Sequence, residues 1–344
     1  MRIGFDASPL VGGFSAGVAR VAACSLERLE ARAVLDVVRL VPAAGEPPAR
    51  FRRRLPALVR EHRLDGVHTF ASASPRGLGV PLVVTLHELP WRHGVAEHAG
   101  WRHRIAALLA ANRAARIVVP TEFVARDLGR RARSRARVVP WGFGPPFAVE
   151  PPPGVVDEAV LERFRLGAEP FLLAPGATRE KKRLDLVLAG MERLHRRGDL
   201  RLGLVVTGRE TADLRRSLGQ ASTAGLNRWI STLGEVTDDE LAALMRLAAC
   251  VPVLSASEGF ALPVLEALAS GTPVVVPPAS AQAEVAGAAG TVVDPRDADA
   301  LADAFGEAVA TRGRRRYALA ESVAGRTWDR TAEALEALWR ELAP

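Results

Sequence analysis

Cysteine is scarce in this chain of 344 residues. Only Cys24 and Cys250 occur, far apart and each among apolar neighbours, so both read as buried free thiols of a reducing compartment. Long apolar runs are lacking as well: no stretch approaches the roughly 18 residues of a membrane span. The opening MRIGFDASPL enters a strand pattern with no long apolar leader core, and a cytoplasmic location is expected. Neither G-x-G-x-x-G nor G-K-[ST] is present, which counts against a dinucleotide-binding dehydrogenase and a P-loop nucleotidase. His93, His98 and His103 stand five apart, a spacing that scatters them over different helix faces, whereas ligand histidines usually stand at i and i+4; no metal site is inferred. Lysine is nearly absent too. Lys181 and Lys182 are the only two among 46 basic residues.

What the chain does have is length, arginine and a steady alternation of strand and helix patterns. At this length two domains are the natural division. The formal net charge of +7 is uneven, with about +11 in residues 1–150 and about −4 in the remainder. Arg126, Arg130, Arg131, Arg133, Arg135 and Arg137 crowd one expected helical stretch and its exit. No base-reading module or interleaved aromatics accompany them, so nucleic acid is not an expected partner. A solvated helix face, an anionic membrane surface and an anionic acceptor all fit.

Taken in order, the first half opens with a strand over Arg2–Phe5, a loop carrying Gly12, Gly13 and Gly17, and a helix over Val18–Arg32. Strands near Val34–Leu40 and Gly66–Thr69 flank a helix at Arg50–His62. The buried strand Pro81–Leu86 delivers His87 at its carboxyl end, the end that faces the ligand crevice in an open α/β sheet. A helix over Trp101–Ala115, a strand at Arg116–Val119, a helix capped by Thr121 and a short strand at Val138–Val139 complete this half. The proline-rich Pro145–Pro153 reads as a hinge segment. The pattern then restarts with strand Phe171–Ala174, loop PGATREKK, helix Arg183–Arg196 and strand Leu202–Val206. A further strand ends over Gly234–Val236, a helix spans Asp238–Ala248, and Asp329–Leu342 forms a final amphipathic helix.

The densest chemistry lies in Ser255–Pro278, SASEGFALPVLEALASGTPVVVPP, which reads as strand, loop, helix and strand. Pro263 suits a first helical turn and Gly271 a helix end. Backbone N–H groups from about Phe260 to Val264 therefore point out of the helix start and form an anion site. Glu258 and Glu266 flank it, and carboxylates there suit the vicinal hydroxyls of a polyol. Arg179, Lys181, Lys182 and Arg183 crowd another helix start, where the macrodipole disfavours cations unless an anion sits there. Arg179 and Lys182, three apart, can grip one diphosphate. A ligand with a diphosphate between two polyols is a nucleotide-sugar.

EGFALPVLE, together with Gly259, Phe260, Pro263, Gly271 and Pro273, resembles the E-x7-E region of retaining glycosyltransferases of the GT-B fold in family GT4. GATREKKRLDLVLAG resembles that family's diphosphate motif, with Lys182 matched, Ala177 where arginine is frequent, and Arg179 further along. Ala16-Gly17-Val18 resembles the glycine loop facing the donor diphosphate, and TLHELP resembles the T-x-H-D segment, with Glu88 for aspartate. TEFVARDL and PWGFGPPF are similar to two further family segments, with Trp141 where asparagine is usual. The resemblance implies an α/β, GT-B architecture of two Rossmann-like domains facing across a deep cleft. Residues 1–150 would bind acceptor and residues 151–328 donor, with helix 329–342 packing back on the first domain. Implied roles are Glu258 on donor-sugar hydroxyls, Glu266 on the ribose, Lys182 with Arg179 on the diphosphate, and His87 on the sugar or leaving phosphate. Gly17, Lys181, Gly259, Phe260, Ala261 and Leu262 would line the donor, and the loop at Val236 would meet the base.

The expected reaction is transfer of a mannosyl or other hexosyl group, with retention, to a hydroxyl of a glycan, a lipid-linked acceptor or a small molecule. Neither metal nor cofactor is expected. Acceptor contacts are expected from the loops Pro9–Ala16 and Ser72–Gly79. Two alternatives stay open: a GT-B-like nucleotide-binding or regulatory subunit without turnover, and another enzyme on the same fold, a nucleotide-sugar epimerase or a phosphorylase.

Overall fold

A computed structural model describes residues 1–70, 75–95, 101–198 and 200–343. The chain forms two units, one of Met1–Gly142 with Arg326–Pro344 and one of Phe143–Gly325. In the first, β1 (Arg2–Asp6), β2 (Asp36–Leu40), β3 (Gly66–Thr69), β4 (Leu82–Thr85), β5 (Arg116–Val119) and β6 (Ala136–Val138) form one sheet in the order β2-β1-β3-β4-β5-β6. All its pairings are parallel. Every residue of β3 and β4 is buried, as expected where helices cover both faces of a parallel sheet. Phe51, Leu55 and Val59 of helix Pro48–His62 and Ala107, Ala110 and Ala111 of helix Trp101–Arg113 pack with the sheet in one core. The terminal helix Trp328–Arg340 lies against the first helix, Ala16–Arg32. There Arg32 Nε donates to Glu336 Oε1 at 2.9 Å, and the Glu336 side chain is only 1% exposed.

In the second unit β7 (Phe171–Ala174), β8 (Gly203–Thr207) and β9 (Ile230–Gly234) are parallel neighbours, as are β10 (Val251–Pro252), β11 (Val274–Val276) and β12 (Thr291–Val292). A parallel bridge between Leu172 and Cys250 joins the two sets. The strands thus run β9-β8-β7-β10-β11-β12. The chain builds outward from β7 in one direction and later from β10 in the other.

Several boundaries differ from the sequence reading. The first helix starts at Ala16, with Ser15 as its cap, so Gly17 lies in the first helical turn and not in the preceding loop. β9 ends at Gly234, which leaves Val236 in the loop beyond it. The arginine-rich stretch is not one helix but two short ones, Glu122–Asp127 and Arg130–Arg133. Leu128 turns to an extended conformation between them, and glycine at 129 removes the helix propensity that would bridge the break. Its arginines also have different fates: Arg135 donates to the carbonyl oxygens of Ala111 (2.9 Å) and Asn112 (3.3 Å), and Arg137 pairs with Glu341 at 2.9 Å.

The proline-rich run is fastened rather than a free hinge. Arg246 donates to Pro146 O (3.2 Å) and Ala148 O (3.3 Å) while chelating Asp157 at 2.6 and 2.7 Å, and Arg316 reaches Val149 O. Both cysteines are free; Cys250 is buried, which pushes its thiol up to about 12, but Cys24 is only half-buried. Among the described residues, no helix is long and apolar enough to cross a membrane.

Candidate active site

Because β8 and β10 lie on opposite sides of β7, the loops leaving the carboxyl ends of β7 and β10 diverge from adjacent strands. Such a topological switch point opens a crevice in a doubly wound sheet. The lysine pair follows β7, and Glu258 follows β10.

The loop after β7 is held from beneath. Gly176 N donates to Thr207 Oγ1 at 3.2 Å, Glu180 N to Asp213 Oδ2 at 3.0 Å, and the Thr211 hydroxyl to Thr178 O. Gly208 abuts it so closely that a Cβ there would lie 2.4 Å from Ala177 N. The loop ends in a 3₁₀ turn over Glu180–Lys182 with Arg179 at its cap. Lys182 N donates to Arg179 O at 2.8 Å and closes the turn, while Arg179 itself is extended. Arg183 is drawn elsewhere: its Nη2 donates to Asp185 Oδ2 at 3.0 Å.

Lys182 Nζ donates to Glu258 Oε1 at 2.9 Å, joining residues that stand on two different loops. Ala256 N donates to Lys181 O at 2.8 Å and ties the same loops through the backbone. Glu258 is 13% exposed. Burial alone would raise its carboxyl, but the charges of Lys182 and Lys181 and the Lys182 hydrogen bond outweigh it and bring it down to about 2. The Ser255 hydroxyl lies close enough to add to that lowering, yet among the described residues it is buried without a hydrogen-bond partner of ordinary geometry. Gln282 Nε2 fixes the loop by donating to Ser255 O at 2.8 Å.

Beyond Glu258 the buried Gly259 and Phe260 lead to Ala261, whose φ of 63° is left-handed. A non-glycine residue held there stores local strain of a kind common at ligand sites. Helix Leu262–Ala269 then begins with Pro263 in its first turn and with no capping side chain. Its leading N–H groups are therefore oriented for an anion. Glu266 lies on this helix and is 3% exposed. Lys181, Lys182 and Arg179 are half-buried, as is Val236.

His87 and Gly17 belong to the other unit. His87 follows β4, as expected from the strand pattern. Its Nε2 donates to Phe70 O at 2.7 Å, and burial, against that bond, lowers its pKa to about 4, so the ring is neutral. Trp141, buried, lies 5.8 Å away, centroid to centroid. Gly17 is exposed, with nothing near its Cβ position.

Two buried polar groups escaped the sequence reading. Asp6 ends β1 and accepts from Ser8 N at 2.9 Å, and burial raises its carboxyl. His68, in β3, faces Thr85 Oγ1 at 2.9 Å and stacks on Phe5 and Phe70; burial, then the neighbouring His87, lowers it to about 3. The alternation in GVHT was the one available signal for His68. Asp6 carries the signal used for His87, a place at the carboxyl end of a strand. His93 pairs with Asp127 at 2.7 Å; His98, the His103 side chain and residues 72–74 lie outside the described residues.

Comparison with known proteins bears on both units. Residues 161–322 match the family described as Glycosyl transferases group 1, and residues 18–144 match Glycosyltransferase Family 4. The GDP-mannose-dependent alpha-(1-6)-phosphatidylinositol monomannoside mannosyltransferase of Mycolicibacterium smegmatis is 30% identical over 319 residues, covering 87% of this chain and 80% of that protein. O-antigen chain mannosyltransferase B of Escherichia coli is 33% identical over 144 residues, 41% of this chain and 37% of that one. The structure of Anabaena Alr3699/HepE in complex with UDP-glucose has the same fold, with a TM-score of 0.77 at 16% identity over 99% of this chain and 100% of that one. A switch-point site of paired lysine and glutamate at an uncapped helix start, and relatedness that runs through both units, lead to one conclusion: the chain belongs to the group 1, family 4 glycosyltransferases of the GT-B fold.

Proposed function

We propose that this enzyme is a retaining, metal-independent mannosyltransferase that takes its sugar from GDP-mannose and passes it to a hydroxyl of a glycan, a lipid-linked acceptor or a small molecule. The observation that carries the reading is the Lys182–Glu258 contact of 2.9 Å beside the uncapped helix at Leu262. The choice of donor rests on the printed names of relatives. An ammonium has three donors; Glu258 takes one, which leaves two for a phosphate. A carboxylate titrating at about 2 stays ionised at neutral pH and accepts hydrogen bonds from the sugar hydroxyls.

In this reading the unit Phe143–Gly325 holds the donor. Glu266 takes the ribose hydroxyls, the loop at Val236 meets the base, and Lys182, Arg179, Lys181 and the N–H groups from Gly259 to Leu262 surround the diphosphate. The acceptor is assigned to the other unit, which carries His87 and Gly17. As the anomeric C–O bond breaks, its electron pair passes to a β-phosphate oxygen, where fixed cations and N–H dipoles stabilise the growing charge. The acceptor oxygen bonds to the anomeric carbon on the same face, and its proton goes to the departing phosphate. No metal has a task in this scheme, and the thiols suit a cytoplasmic location.

Titration calorimetry with GDP, UDP, ADP and dTDP, repeated on Lys182→Ala, tests it. GDP is expected to bind and the substitution to weaken it, with turnover falling further than affinity, while activity in EDTA equals that in magnesium. Absence of binding by all four nucleotides would overturn the donor site, and loss of activity in EDTA would overturn metal independence.

A further inference from the structure

His68 is a buried imidazole that the transfer chemistry above does not use. It stands in β3 with Phe5 and Phe70 stacked on it at 5.2 and 4.9 Å between ring centroids, and Trp339 of the terminal helix lies 6.3 Å away. All four side chains are fully buried. A leucine or phenylalanine would fill such a space, whereas an imidazole there gives up its hydration. His68 recovers only part of it. Its Nε2 bonds with Thr85 Oγ1 at 2.9 Å, while among the described residues Nδ1 is buried with no hydrogen-bond partner. A polar side chain retained under that penalty needs a role beyond filling space.

Its neighbours indicate the role. Thr85 ends β4, two residues before His87, and Phe70 follows β3 and carries the carbonyl that receives His87 Nε2 at 2.7 Å. His68 therefore grips both supports of His87, one by a hydrogen bond and the other by stacking. The register makes this possible: β3 and β4 are parallel with His68 opposite Val83, so Phe70 and His87 leave the sheet at the same end. A carbonyl only accepts, so Nε2 of His87 carries the proton. Burial keeps that ring neutral, and a neutral ring has its lone pair on the other nitrogen, Nδ1. His87 is half-buried, and a ligand that reaches Nδ1 must donate to it. A phosphate oxygen without a proton cannot do so; a hydroxyl can.

We infer that His68 is a positioning residue: through Thr85 and Phe70 it holds His87 with Nδ1 as the acceptor for a hydroxyl of the sugar or of the acceptor substrate, and not as a donor to the leaving phosphate. Its effect on turnover rests on the transfer reaction proposed above, whereas the state of the His87 ring can be read without any turnover.

Proton–nitrogen correlation spectra of the histidine rings in the full chain, with His87→Gln identifying the His87 signals, read that state. The wild type is expected to show one neutral form protonated at Nε2. Thr85→Val removes the hydrogen bond and keeps the volume, and His68→Leu removes the stacking as well. Both should populate the form protonated at Nδ1 and lower kcat by about tenfold or more, with circular dichroism and GDP affinity unchanged. His68→Gln, whose amide can still donate to Thr85 Oγ1, should recover much of what His68→Leu loses. A wild-type ring protonated at Nδ1, spectra that neither substitution alters, or a kcat that neither lowers would each overturn the inference. If His68→Leu does not fold, Thr85→Val decides. If the wild type transfers no sugar from GDP-mannose while the ring responds as expected, the donor reading fails and the positioning of His87 stands.

Discussion

The Lys182 ammonium keeps Glu258 ionised while the sheet holds the two close, and that dependence has a measurable pH signature. Glu258 titrates at about 2 in the folded protein, below the ordinary carboxylate range. Its stabilising contribution is therefore complete above about pH 4.5 and is lost as pH falls toward 2. Lys182→Met leaves the buried carboxylate with only Lys181 nearby, and we expect it to destabilise the fold at neutral pH by about 2 kcal/mol. That difference should shrink toward pH 3, where the wild type has already given up part of the same stabilisation. Urea unfolding of both proteins across this range decides it: an equal difference at pH 7 and pH 3 would mean that packing, not charge, is responsible. The two residues were legible separately, Lys182 as a rare lysine at a helix start and Glu258 as a loop carboxylate before one. Their contact was not, because nothing local in either segment encodes a partner on the neighbouring strand's loop.

Whole elements were legible where burial is uniform. Gly66–Thr69, Arg116–Val119, Phe171–Ala174 and Val274–Val276 are strands as their apolar runs suggest, since no competing turn signal interrupts them. Which face of a helix turns inward was less legible: in WRHRIAALLAANR the alanines win the interior, an outcome set by the space beneath the helix. The terminal helix shows the same dependence on tertiary fit. At Gly142 a Cβ would lie 2.2 Å from the backbone of Thr327 and Trp328, at the start of that helix, and Thr331 Oγ1 donates to Pro140 O at 2.8 Å. The intervening Trp141 packs beside His87. Gly142→Ala should therefore cost about 3 kcal/mol, since backbone rather than a flexible side chain must move. Gly219→Ala, inside helix Ala212–Thr223 with open space around it, should stabilise by about 0.5–1 kcal/mol. Thermal unfolding of the two variants tests the contrast, and similar melting temperatures would show that the Gly142 contact is not tight.

At the scale of the whole molecule the two units differ in how the chain makes them. Phe143–Gly325 is continuous, whereas the other unit needs both Met1–Gly142 and Arg326–Pro344. The continuous unit has its own core, with Leu172, Val187, Met191, Leu204, Leu301 and Phe305 among its buried residues. Every proposed donor contact except those of Gly17 and His87 lies inside it. A fragment of residues 143–325 should consequently fold alone and bind GDP within about tenfold of the full chain, an allowance of about 1.4 kcal/mol for what the other unit adds. A fragment of residues 1–142 lacks the helix that covers Gly66 with Trp339 and pairs Glu336 with Arg32, and it should fail to fold cooperatively. Circular dichroism melts and calorimetry on the two fragments read both outcomes. If the 143–325 fragment folds but has lost GDP binding by a hundredfold or more, the donor site is not complete within one unit, and the roles assigned to Lys182, Glu258 and Glu266 would need support from residues of the other.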